Sequence, residues 1–86
     1  MIKIGKVISY YEKIGITIVE LTGNLTCGDK IKIYKDGELV LYQQVDKILM
    51  NQKNIPFAKS GDVVGLVLDE NISKGSEIYR QGELGT

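Results

Sequence analysis

Lys30-Ile31-Lys32-Ile33-Tyr34-Lys35-Asp36-Gly37-Glu38-Leu39-Val40-Leu41-Tyr42 is the stretch that decides the fold. Its first four residues alternate polar and apolar, the period of a half-buried strand. Asp36-Gly37 then separates two β-rich runs. Both central residues of a two-residue hairpin turn need positive φ, and Asp-Gly is a pair that accepts it. The stretch therefore predicts an antiparallel hairpin.

Outward from this hairpin, Ile2-Lys3-Ile4 repeats the alternation. Six strands are expected, over Ile2–Tyr10, Ile14–Leu21, Lys30–Tyr34, Leu39–Met50, Val63–Leu68 and Glu77–Arg80. Thr22-Gly23-Asn24, Lys59-Ser60-Gly61-Asp62 and Ser73-Lys74-Gly75-Ser76 read as turns. Pro56, the single proline, lies in the long connection between the fourth and fifth strands and keeps it out of the ladder. No segment shows a helical period with caps. Two strands change phase. Ile4 and Val7 fall on opposite faces of a regular strand, with Gly5 at the switch, and so do Val45 and Ile48. A β-bulge reconciles each pair. Bulges bend strands, and small barrels need bent strands. The expected fold is thus all-β, a small six-stranded antiparallel β-barrel. Val7, Val19, Leu21, Ile31, Ile33, Val45, Val64 and Leu66 are expected in its core. One domain spans 1–80, and the polar, glycine-rich segment 81–86 is expected to form a flexible tail.

The chain has 86 residues, 43% of them apolar and 26% charged. A domain of that size buries about 60–65% of the surface its unfolded chain exposes, enough for one core. The 11 basic and 11 acidic residues balance, and Arg80 is the only arginine. A dedicated nucleic-acid binder usually carries a basic excess, although neutrality overall leaves room for a local basic face. Cys27 is the only cysteine and cannot form an internal disulfide, which suits a reducing compartment. No apolar run reaches the length of a signal peptide or a membrane helix. A cytoplasmic protein without membrane association is expected.

Chemistry-bearing groups are sparse. The chain contains no histidine, which removes the commonest general base and neutral metal ligand. No phosphate loop is present. Cys27 has no thiol or imidazole partner for zinc and reads as a small apolar residue. Asp69-Glu70 and the scattered single carboxylates read as solvated charge. No enzymatic activity, metal, cofactor or nucleotide is expected. One concentration of aromatic and basic residues stands out, Tyr10-Tyr11 with Lys13. Such a set can stack a base and hold a phosphate. Alternatively, because adjacent strand residues face opposite sides, one tyrosine enters the core and the other lies on the rim.

A wider pattern runs through the chain. Gly5-Lys6-Val7 is followed by Gly15-Ile16-Thr17-Ile18-Val19-Glu20-Leu21 and by Leu25-Thr26-Cys27-Gly28-Asp29-Lys30-Ile31-Lys32-Ile33. Gln44-Val45-Asp46-Lys47-Ile48, Ala58-Lys59-Ser60-Gly61-Asp62-Val63-Val64-Gly65-Leu66 and Ser73-Lys74-Gly75-Ser76-Glu77-Ile78-Tyr79 complete it. In that order the segments resemble the second, β-barrel domain of elongation factor Tu. They also resemble the C-terminal barrel of collagenase-like peptidase family proteins, several of which are linked to RNA modification. The first resemblance implies a translation-factor domain II type of barrel, here without the GTPase domain that precedes it in translation factors. It also implies a ligand pocket at Gly61, Asp62 and Val63, with Val63 apolar where translation factors often place a polar residue. The expected function is a non-catalytic binding module acting in trans with a larger protein in translation or RNA modification. That partner would be a collagenase-like peptidase family or RNA-modifying protein. The alternative is direct binding of RNA, at a single-stranded end such as the tRNA acceptor. The expected binding residues are Tyr10, Tyr11, Lys13, Gly61, Asp62 and Val63.

Overall fold

The Asp36-Gly37 turn forms, with φ of 52° at Asp36 and 83° at Gly37. A computed structural model describes residues 2–81; positions 82–86 of the expected tail lie outside the described residues. Ten strands follow one another: β1 (Ile2–Tyr11), β2 (Ile16–Leu21), β3 (Leu25–Thr26), β4 (Lys30–Lys35), β5 (Glu38–Gln44), β6 (Ile48–Met50), β7 (Lys53–Ile55), β8 (Phe57–Ala58), β9 (Val63–Val67) and β10 (Glu77–Arg80). Among the described residues there is no helix. Eight strands form one antiparallel sheet in the order β5-β4-β10-β1-β2-β9-β6-β7, and β3 and β8 form a separate ribbon.

The all-β expectation holds, but the six-stranded closed barrel does not. The long fourth strand is broken. Val45 leaves the ladder because its N–H donates to the Asp29 carbonyl and its own carbonyl accepts from the Gly28 N–H, both at 2.8 Å. The expected bulge between Val45 and Ile48 is therefore a corner, which buries both residues. The connection around Pro56 also carries strands. Asn51 and Gln52 adopt φ of 52° and 66°, which folds β6 back on β7. The second strand begins at Ile16 rather than Ile14, since Gly15 at φ 66° closes a turn from Tyr11.

The sheet is not closed by strand pairing, because β5 and β7 end it without a shared ladder. Its β5 edge is nevertheless tied to the end of β9 and the residues just after it by one side chain. Gln43 donates from Nε2 to the Val67 carbonyl at 3.3 Å, and its Oε1 accepts from the Asp69 N–H at 2.8 Å. The side-chain amide thus stands in for the peptide group that a ladder would supply.

The bulge in β1 is present. Pairing with β10 slips between Lys3 and Gly5, so Ile4 and Val7 both turn inward. All eight residues expected in the core are buried, joined by Ile4, Leu25, Leu41, Ile48, Ala58, Ile72 and Ile78. Cys27 packs against this cluster. Its thiol lies 3.5 Å from the Ile55 carbonyl, and its N–H donates to the Pro56 carbonyl at 2.9 Å.

One core position works against stability. Thr17 is 0% exposed, and its hydroxyl has no hydrogen-bond partner. A buried unsatisfied hydroxyl costs about 1–3 kcal/mol. Thr17→Val keeps the shape and the β preference while removing that cost. We expect it to raise the unfolding free energy by about 1 kcal/mol in urea titration; a loss of stability would show that the hydroxyl is satisfied.

Candidate binding surface

The two Gly-Asp segments have one geometry. In Thr26-Cys27-Gly28-Asp29 the Asp29 N–H donates to the Thr26 carbonyl at 3.0 Å, and the Asp29 carboxylate accepts from the Thr26 N–H at 2.9 Å. In Lys59-Ser60-Gly61-Asp62 the equivalent distances are both 3.0 Å. Gly28 and Gly61 stand at φ 97° and 95°, the third position of a turn that favours glycine. Asp62 is therefore occupied in holding its own turn. That turn is further tied to β2, where Gly61 N–H donates to the Leu21 carbonyl and Leu21 N–H to the Asp62 carbonyl, both at 2.9 Å.

The expected binding residues do not converge on one pocket. Along β2, Tyr11 pairs with Ile16, whereas Val63 pairs with Glu20. Four residues of strand separate the two positions by ~13 Å. Antiparallel pairing of β2 with β9 places Gly61, Asp62 and Val63 at the far end from the hairpin. Tyr10 and Tyr11 also part company. Tyr10 lies on the side of buried Thr17, its partner in the ladder, and its hydroxyl donates to the Asn71 side-chain oxygen. Tyr11 faces outward and is 54% exposed. Lys13 stands exposed in the Glu12–Gly15 turn.

Two of the six do share a face. Ile16, Ile18 and Glu20 of β2 point outward, because the intervening Thr17, Val19 and Leu21 are buried. Val63 and Val67 of β9 flank Gly65 on the same outer face, and Leu49 of β6 pairs with Gly65 from the other side. An added Cβ on Gly65 would come within 2.8 Å of Ile16 Cγ2, 3.6 Å of Leu49 Cβ and 3.7 Å of Ile18 Cδ1. The three side chains lie over the glycine and bury it. They form a small apolar cluster on the outside of the sheet, rimmed by Tyr11, Val63 and Val67, the last two 48% and 44% exposed.

The residues expected from sequence touch this face only at its rim; Ile16, Ile18 and Leu49 at its centre were missed. A signal was available. A strand covered on one face alternates, while one covered on both reads as a continuous apolar run. Val63-Val64-Gly65-Leu66-Val67 is a run of the second kind, and Ile16-Thr17-Ile18-Val19 is interrupted only by Thr17.

No protein-family model matches the chain. The chain is 31% identical over 78 residues to an uncharacterized protease of Methanocaldococcus jannaschii; the match covers 91% of this chain and 19% of that protein. The chain thus spans about a fifth of that relative's length. Two crystal structures of the C-terminal domain of a candidate U32 peptidase from Geobacillus thermoleovorans, one a selenomethionine variant, superpose with TM-scores of 0.82 and 0.84. They are 16% and 17% identical to the chain, and the matches cover 92% and 94% of it and 91% and 100% of the solved domains. At those identities the likeness is one of fold. The chain is therefore related to part of a larger protease-like protein and has the fold of a peptidase C-terminal domain. It is the peptidase side of the resemblance noted in the sequence that these relatives carry.

Proposed function

We propose that the chain is a non-catalytic binding module that acts in trans with a larger protein of collagenase-like peptidase or RNA-modifying type. The observation that carries this reading is the apolar cluster of Ile16, Ile18 and Leu49 over Gly65, with Tyr11, Val63 and Val67 at its rim. Apolar and aromatic side chains gathered on an outer sheet face mark a protein contact, and aromatic anchors dominate such contacts. The fold likeness to a domain that ends a larger peptidase supports a large partner. The lack of histidine supports a role without acid–base chemistry. The ordered segments resembling the second domain of elongation factor Tu support a setting in translation or RNA modification. A cytoplasmic location fits the lone cysteine. No helix among the described residues is long and apolar enough to cross a membrane.

Capture from native extract with the 86-residue chain, alongside its Val67→Glu variant, tests the reading. A larger peptidase-like or RNA-modifying protein should be retained by the wild type and reduced at least tenfold by the variant. That corresponds to about 1.4 kcal/mol, within the range expected where a charge enters an apolar contact. Equal retention by both proteins would place the contact elsewhere.

The second reading, direct binding of a single-stranded RNA end, is supported by a separate feature. The other half of the sheet presents a face bearing lysines and tyrosines.

A further inference from the structure

The outer face of β5, β4, β10 and β1 differs from the apolar face. Tyr42 pairs with Lys32, Lys32 with Tyr79, and Tyr79 with Lys3, so one row crosses four strands. These residues point outward, because Leu41, Ile33 and Ile78 beside them are buried. The Lys32 ammonium lies 5.5 Å from the centroid of the Tyr42 ring, which is itself part of a 52% exposed residue. Tyr34 meets Tyr79 edge to face, with centroids 5.5 Å apart and planes at 88°. A shallow cleft opens on each side of the row. One is lined by Lys30, Tyr42, Gln43 and Gln44, the other by Tyr34, Gly37, Glu77 and Tyr79.

The charges on this face are unevenly committed. Lys3 donates to Glu77 at 2.8 Å, a hydrogen bond that lowers the Glu77 pKa and raises that of Lys3. Lys6 stands opposite Glu20 and Glu77 in the two ladders, with no ion pair to either among the described residues. Lys30 and Lys32 form no ion pair among the described residues. Two ammonium groups without an ion pair therefore stand two residues apart on one strand, with the exposed Tyr42 ring on one neighbouring strand and the half-buried Tyr79 ring on the other.

We propose that this face binds single-stranded RNA, with bases stacked on Tyr42 and Tyr79 and phosphates held by Lys30 and Lys32. The proposal rests on the second reading above and moves its site away from Tyr10, Tyr11 and Lys13. Neighbouring strands lie about 4.8 Å apart, so the two rings stand ~10 Å apart with Lys32 between them. Rings interleaved with cations match a strand whose bases alternate with phosphates. Stacking uses the π-face every base possesses, so binding is tolerant of sequence. An acidic peptide would satisfy the ammonium groups and leave the rings unused.

Fluorescence anisotropy of a labelled ten-nucleotide oligouridylate, titrated with the full chain at several salt concentrations, tests this. Two phosphate contacts predict a slope of log affinity against log salt of about −1.4. Lys32→Gln should halve that slope. Tyr42→Ala, a change at an exposed ring, should weaken binding between about 5-fold and about 140-fold. Circular dichroism should show both variants folded. Val67→Glu, on the apolar face, should leave RNA binding unchanged. Binding that ignores both Tyr42→Ala and Lys32→Gln would overturn the site while leaving the RNA reading intact. No binding at low salt would overturn both. Competition by an acidic decapeptide at concentrations equal to the oligonucleotide would overturn the choice of ligand.

Discussion

Ile33→Ala is expected to lower the unfolding free energy by about 2–5 kcal/mol. Ile33 is 0% exposed and sits mid-strand in β4, opposite Ile78 of β10 and Leu41 of β5. Both partners are buried too. Truncation removes apolar contact area and leaves a cavity that three hydrogen-bonded strands cannot collapse to fill. A domain of about 80 residues is stable by roughly 4–12 kcal/mol in total, so the loss is a large share. In urea the midpoint should fall while the slope stays constant, the signature of lost stability with unchanged compactness. A shift below about 1 kcal/mol would mean that the β4 centre repacks, which the geometry of three paired strands opposes.

Gly5→Ala is the second large effect, and its cause is the opposite one. A Cβ there would sit 2.7 Å from the Glu20 carbonyl oxygen, 3.0 Å from Val19 Cγ1 and 3.3 Å from Leu21 Cδ2. The nearest atom is backbone, in the strand that pairs with β1. It can yield only if the β1–β2 ladder moves. Overpacking of this kind costs typically 1–3 kcal/mol, and we expect the upper end. Gly65→Ala is the informative contrast. Its closest contact, 2.8 Å, is the Cγ2 branch methyl of the half-buried Ile16 side chain. That atom belongs to a side chain rather than to backbone, so Ile16 can yield at the cost of its stiff χ1 rotamer without moving the ladder, and the stability cost should be smaller than at Gly5. The displaced Ile16 would instead disturb the apolar outer cluster. Gly5→Ala should therefore act on thermal or urea stability, and Gly65→Ala on protein capture. The reverse ranking in a denaturation series would refute the assignment of the two glycines.

Much of the fold was legible because it is written in local terms. Asp36-Gly37 specifies its turn through φ preferences that two residues carry alone. Gly28-Asp29 and Gly61-Asp62 do the same, each with a carboxylate that reaches an amide three residues back. The alternation in Lys30–Ile33 assigns inner and outer faces without reference to any other strand. The phase break at Gly5 announced the bulge in β1. Turn chemistry that breaks the usual preferences was not legible. Asn51-Gln52 makes its hairpin with positive φ at two non-glycine residues, and so β6 and β7 were merged into neighbouring segments.

The candidate site was less legible, because its parts lie far apart in the chain. Tyr10, Tyr11 and Lys13 stand together in sequence, yet strand alternation and the turn send them three ways. Tyr42, Lys32, Tyr79 and Lys3 are scattered over most of the chain, yet register brings them into one row. That register depends on bulges at Lys3/Gly5 and Ile33/Tyr34, each of which shifts a partner by one residue and so decides which side chains meet. The sequence alone determined an all-β chain, its main hairpin, its glycine turns and the inward residues, since periodicity and φ are properties of a few neighbours. Only the tertiary structure decided that Gln43 ties the sheet's edge, that Ile16, Ile18 and Leu49 cover Gly65, and that rings and ammonium groups share a face. Each of those depends on which strands become neighbours, and that is set by packing the whole core.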